Sequence, residues 1–132
     1  MGIDYGVKRT GISVTDPDQI IVSPLKTVNT RSLMNFLKIY LSKEPVEKLV
    51  FGYPTHRDGN PTYIVEEIEE FKSKLAKQYP TLVFDYQDEN FTSAEALSIM
   101  ISSGMSKKQR QDKSKLDKLS AVLILQRYLN HI

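Results

Sequence analysis

Three acidic positions stand where an acid is costly to keep. Asp4 follows an apolar residue in a stretch that reads as a strand, Asp88 and Glu89 close a later strand, and Asp117 shares a helical stripe with Ala121 and Ile124. A carboxylate in such a place is expensive unless something positive meets it. Each has an ordinary explanation: a turn aspartate capping its own loop, a strand end, or a helix N-terminal acid favoured by the dipole. Taken together they suggest carboxylates converging on one site from distant parts of the chain. There is no cysteine and there are two histidines. Hard oxygen ligands of this kind favour Mg²⁺ or Mn²⁺ over Zn²⁺. Two such cations can activate water and steady the leaving oxygen of a phosphodiester.

A basic stretch could hold the polyanion that this chemistry needs. Residues 104–115 contain Lys107, Lys108, Arg110, Lys113 and Lys115 against Asp112 alone, five minus one, or +4, where the whole chain carries +2. A solvated surface can have the same composition. A flexible basic loop beside acids is nevertheless what a nuclease requires to offset its own negative charge. Aromatic residues are absent from it, so it is expected to read backbone rather than stack on bases. His56 follows a strand end and is read as a polar loop residue, with substrate contact the less favoured alternative.

The elements that must position these residues follow from pattern. Residues 1–15 read as a β-hairpin with a short basic turn, Val7-Lys8-Arg9, bracketed by Gly6 and Gly11. Asp16-Pro17-Asp18 is a turn. Pro24 lacks an amide proton, so its strand is expected at a sheet edge, with a bulge. Asn29 or Thr30 is expected to cap a helix over 31–42. Val46 to Tyr53 reads as a buried parallel strand. A helix entered through Pro61 follows, with Ile64, Ile68, Phe71 and Leu75 on one face. Residues 81–86 form the next strand. Thr92 opens a helix that stops at Gly104, and a last, largely buried helix spans 116–129. Antiparallel strands followed by strand–helix alternation imply a mixed sheet with helices on both faces. The 132 residues, 40% hydrophobic and 26% charged, suit one soluble domain over 1–132 that needs no staple. With neither a membrane-length apolar run nor a signal segment, the expected location is cytoplasmic.

The opening Gly-Ile-Asp-Tyr-Gly-Val-Lys-Arg-Thr-Gly-Ile-Ser-Val-Thr-Asp resembles the first motif of the YqgF (RuvX) family, the Holliday-junction-resolvase-like proteins also described as pre-16S rRNA nucleases. Phe51-Gly52-Tyr53-Pro54 with Asp58-Gly59 is similar to its middle motif. Asp88-Glu89-Asn90-Phe91-Thr92-Ser93 is similar to its Asp-Glu-Arg-x-Thr-Thr/Ser segment. Lys115-Leu116-Asp117-Lys118-Leu119-Ser120-Ala121, running into Ile124-Leu125-Gln126, resembles its last motif. Four motifs in order cover essentially the whole chain. The resemblance implies an RNase H-like fold with a mixed five-stranded sheet, and metal-dependent phosphodiester cleavage. Carried over motif by motif, Asp4, Glu89 and Asp117 become the catalytic, metal-binding acids, with Lys8 and Arg9 as phosphate contacts. The chain departs from the pattern at Asn90, where the family usually has Arg, which removes a fixed positive charge beside Glu89. Only three residues precede Asp4, so a short first strand is expected, or a chain start lacking a residue or two.

The expectation is therefore a nuclease acting on structured nucleic acid, either a pre-16S rRNA end or a Holliday junction, as a monomer or homodimer. The rival is a non-catalytic nucleic-acid-binding module of the same fold. The two are separated by whether Asp4, Glu89 and Asp117 meet in space, with Asp88 turned away on the other side of its strand. A phosphotransferase of the actin–sugar-kinase type would need a longer chain and a second glycine-rich phosphate loop.

Overall fold

Period-two alternation at both ends of the chain builds the sheet. The computed structural model describes residues 1–54, 63–88, 92–102 and 104–132. Strand β1 (Gly2–Asp4) runs antiparallel to β2 (Arg9–Thr15), and β2 antiparallel to β3 (Val22–Asn29). Strands β4 (Lys48–Tyr53) and β5 (Val83–Asp88) add in parallel on the other side of β1. The order is β3-β2-β1-β4-β5. The expected mixed five-stranded sheet is present.

β3 is an edge strand, as Pro24 requires. Its register with β2 slips between Ile12 and Ser13, so Ile12 faces Lys26 and Ser13 faces Pro24. The bulge leaves Leu25 as the extra residue, next to the proline whose missing amide interrupts a regular ladder. β4 lies between two parallel neighbours and is buried from Leu49 to Gly52.

Helices cover both faces. On one, α1 (Leu33–Lys43) and α2 (Ile64–Gln78) bury Leu33, Leu37, Ile64, Ile68 and Leu75 against Ile3, Ile12, Leu49 and Phe51. Alternation puts the intervening residues on the opposite face, where α5 (Lys113–Tyr128) lies across the sheet. Val50 packs there on Ile124 and Leu125. Helix α3 (Thr92–Ser102) begins at Thr92, where the sequence places its start. Gly104 ends it with φ +81°, and the amides of Gly104 and Met105 return to the carbonyls of Ile101 and Met100. That pattern satisfies the last carbonyls through a left-handed residue, which glycine adopts without a Cβ clash.

Several local expectations need correction. α1 is preceded by a 3₁₀ turn, Thr30–Ser32, and neither Asn29 nor Ser32 makes a side-chain cap. Thr30 is committed elsewhere, as described below. β5 starts and ends two residues later than its composition suggests. The basic stretch is not an open loop: Lys107–Arg110 forms a short helix, α4, and α5 already begins at Lys113. The Asp112 carboxylate accepts from the Ser114 amide at 3.0 Å, and this N-cap sets the earlier start.

Candidate active site

Asp4 ends β1, the central strand. Two cross-strand pairs fix the face it uses. Gly2 pairs with Ser13, whose hydroxyl donates to the Ala121 carbonyl of α5 at 2.7 Å. Asp4 pairs with Gly11, and a Cβ built on Gly11 would collide with the backbone carbonyl of Asp117. Asp4 therefore projects on the side of the sheet that α5 crosses, at the point where the helix backbone comes closest. Continuing the β1–β4 register by one residue sets Gly52 on its other flank. A glycine on each neighbouring strand leaves the carboxylate without bulky cross-strand neighbours.

Asp117 sits on the second turn of α5, over Gly11. Its Oδ2 accepts a hydrogen bond from Arg9 Nε at 2.9 Å. The two side chains are 22% and 39% exposed, so the ion pair is partly open to solvent. Arg9 starts β2, and Thr10 next to it is fully buried.

A chain of hydroxyls holds the basic turn. Thr30 Oγ1 donates to the Gly6 carbonyl at 2.6 Å, so its proton is used there. Thr10 Oγ1, 2.9 Å away, must then donate to Thr30. The Thr30 amide closes the arrangement on the Lys8 carbonyl at 2.9 Å. Residues 6–9 are thus tied to the β3–α1 junction, and Lys8 points to solvent. On the far side, Thr27 Oγ1 donates to the Ser114 carbonyl at 2.7 Å, which joins β3 to the first turn of α5.

Of the predicted acids, Asp4 and Asp117 both neighbour Gly11, Asp4 as its cross-strand partner and Asp117 through its backbone carbonyl. Glu89, like Asn90 and His56, lies outside the described residues. Among the described residues no group of three or more His, Asp or Glu side chains is arranged to hold a metal. Asp85 of β5 faces α5, where its Oδ2 accepts from the Tyr128 hydroxyl at 2.6 Å. Alternation then puts Gln87 on the α5 face and Asp88 on the opposite one. Asp88 is accordingly turned away from the face that Asp4 uses. Of the predicted basic residues, Lys107 and Lys108 are exposed on α4, which Arg110 ends. Lys113 is exposed and Lys115 half-buried in the first turn of α5.

The donor set fits a hard divalent cation. Asp4 and Asp117 offer carboxylate oxygens, the chain has no thiol, and the Asp117 carboxylate is already engaged by a cationic group. What sequence reasoning missed is the pairing of Arg9 with Asp117 and the use of Thr30 as a latch. Both join residues far apart in the chain, and no local pattern announces them.

A mixed five-stranded sheet in the order β3-β2-β1-β4-β5, with α5 laid across one face and α1 and α2 on the other, is an RNase H-like α/β fold. The chain belongs to the RuvX family, described as "Holliday junction resolvase", which matches residues 1–131. Members of this family hydrolyse phosphodiester bonds. Similar proteins carry the name "Putative pre-16S rRNA nuclease". One from Flavobacterium psychrophilum is 44% identical over 98% of this chain and 94% of its own length. One from Porphyromonas gingivalis is 44% identical over 99% and 95%, and one from Amoebophilus asiaticus 45% identical over 98% and 92%.

Proposed function

We propose that this protein trims precursor 16S rRNA, with Asp4, Glu89 and Asp117 holding Mg²⁺ or Mn²⁺ at the end of the central strand. The observation that supports the reading is that Asp4 pairs with Gly11, on which the backbone of Asp117 lies, so the two acids come from opposite ends of the chain to the same face of the sheet. When bound, the cations supply an activated water and neutralise the charge that grows on the leaving oxygen. The chain's own residues do the rest. Lys8 and Arg9, on a turn fixed by Thr10 and Thr30, face the scissile phosphate. Lys107, Lys108, Arg110, Lys113 and Lys115 hold the flanking backbone by charge, without regard to sequence. The names of the relatives favour rRNA as substrate. The family description favours a four-way DNA junction, and that is the second reading. rRNA maturation assigns the protein to the cytoplasm, where it works as a monomer or a homodimer.

The test is cleavage in Mn²⁺ of matched precursor rRNA ends and junction DNA, by wild type and by Asp4→Asn. Wild type is expected to cut the RNA, and the variant to fold and bind it but leave it intact. Turnover by a well-folded Asp4→Asn protein would overturn the metal role of Asp4. Binding of both substrates without cleavage would return the protein to a binding module. Cleavage of junction DNA alone would select the second reading.

A further inference from the structure

Arg9 does more than its place on a basic turn suggests. Its Nε–H is spent on Asp117 Oδ2 at 2.9 Å. Among the described residues the two terminal amino groups of the guanidinium make no further hydrogen bond or ion pair. An arginine stays charged at any working pH, so this pair cannot be dissolved by proton loss. A divalent cation at Asp117 would meet both an occupied oxygen and a like charge. That repulsion works to drive Arg9 off the carboxylate, and the phosphate that substrate brings is an anion able to receive it.

We propose that Arg9 is the resident counterion of Asp117, that it gives up the carboxylate to the arriving cation, and that it passes to the phosphate of bound nucleic acid. This rests on the metal role of Asp117 given above. Cation and guanidinium compete for one carboxylate, so Arg9 weakens cation binding in the free protein. Nucleic acid and cation each take one member of the pair, so each favours binding of the other. The latch through Thr30 and Thr10 keeps the backbone of the turn in place, so the transfer needs only side-chain rotation.

Mn²⁺ titration by calorimetry without nucleic acid tests this on four proteins. Relative to wild type, Arg9→Gln should bind Mn²⁺ about two- to fivefold more tightly, the range expected for loss of a partly exposed ion pair. Lys8→Gln removes a neighbouring charge that is not bonded to Asp117 and should stay close to wild type. Asp117→Asn should bind Mn²⁺ far more weakly. If Arg9→Gln binds no tighter than wild type, or Lys8→Gln tightens binding equally, the handover is wrong while the metal site stands. If Asp117→Asn binds like wild type, the metal role of Asp117 falls, and the handover with it. Should Arg9→Gln not fold, wild type alone decides. Mg²⁺ should shift the Arg9 Nε–H resonance and speed its exchange with water, and an unchanged signal at saturating Mg²⁺ overturns the proposal.

Discussion

Ser120 keeps a hydroxyl where none is used. The side chain is buried, and among the described residues its Oγ has no hydrogen-bond partner. A buried hydroxyl without a partner carries its desolvation cost uncompensated. Ser120→Ala should therefore raise stability by about 1 kcal/mol, helped by the better helix propensity of alanine. Thermal unfolding would show this as a Tm higher by a few degrees, and a lower Tm would mean the hydroxyl is satisfied in solution. Gly11 is the opposite case. The atom a Cβ would strike is the Asp117 carbonyl, part of the helix backbone, so α5 itself would have to move. Gly11→Ala is expected to cost about 1–3 kcal/mol and to shift Asp117 away from Asp4. Its mark should be lost Mn²⁺ affinity together with the lower Tm. A variant that loses stability and keeps cation binding would show that the helix yields without disturbing its carboxylate.

At the scale of elements, the hairpin turn depends on Thr30. Thr30→Val keeps the shape but strands the Gly6 carbonyl and the Thr10 hydroxyl, at a cost of about 1–3 kcal/mol. Thr30→Ser should restore most of it, as read by the urea midpoint. Helix α4 makes a separate prediction. Lys107 and Lys108 are exposed there, and replacing both with Glu should weaken RNA and DNA binding about equally. The slope of log affinity against log salt should flatten, and an unchanged slope would return these lysines to plain surface. What was legible in the sequence is what neighbouring residues decide among themselves. Pro24 forces an edge and a bulge, Thr92 opens a helix and Gly104 closes one, each through its own backbone chemistry. Asp4 and Asp117 were legible as acids out of place. The partner of Asp117 was not, because Arg9 lies 108 residues away and only the fold brings them together. Thr30 looked like a cap because threonine caps helices, but the Gly6 carbonyl competes for the same hydroxyl. The basic stretch read as a loop because its lysines hide the N-cap chemistry of Asp112.

At the scale of the molecule, α5 is also tied to the sheet at its far end. Lys48 Nζ donates to the Tyr128 hydroxyl at 2.7 Å, and that hydroxyl donates to Asp85. The hydrogen bond from Tyr128 holds the Asp85 carboxyl below its ordinary value, helped by the Tyr86 amide. A lowered folded pKa gives stability that is present above the unfolded value, about 3.9, and is lost as pH falls through the folded one. Tyr128→Phe should therefore lower Tm at pH 7 and bring the two proteins together as pH falls below the ordinary carboxylate range. A gap that stays constant down to pH 2 would assign the effect to packing instead.

Every tie between α5 and the hairpin sheet spans most of the chain. Ser13 to Ala121 and Arg9 to Asp117 are each 108 residues apart, and Thr27 to Ser114 is 87. Contacts of such sequence separation close late in folding, after the local helices and hairpins have formed. On the ribosome they cannot close at all until the last helix has emerged, because synthesis runs from the end that carries Asp4. The nascent chain therefore exposes the first carboxylate long before the second exists. On the proposed reading, in which cleavage takes both carboxylates, activity waits until α5 has left the ribosome and closed on the hairpin sheet.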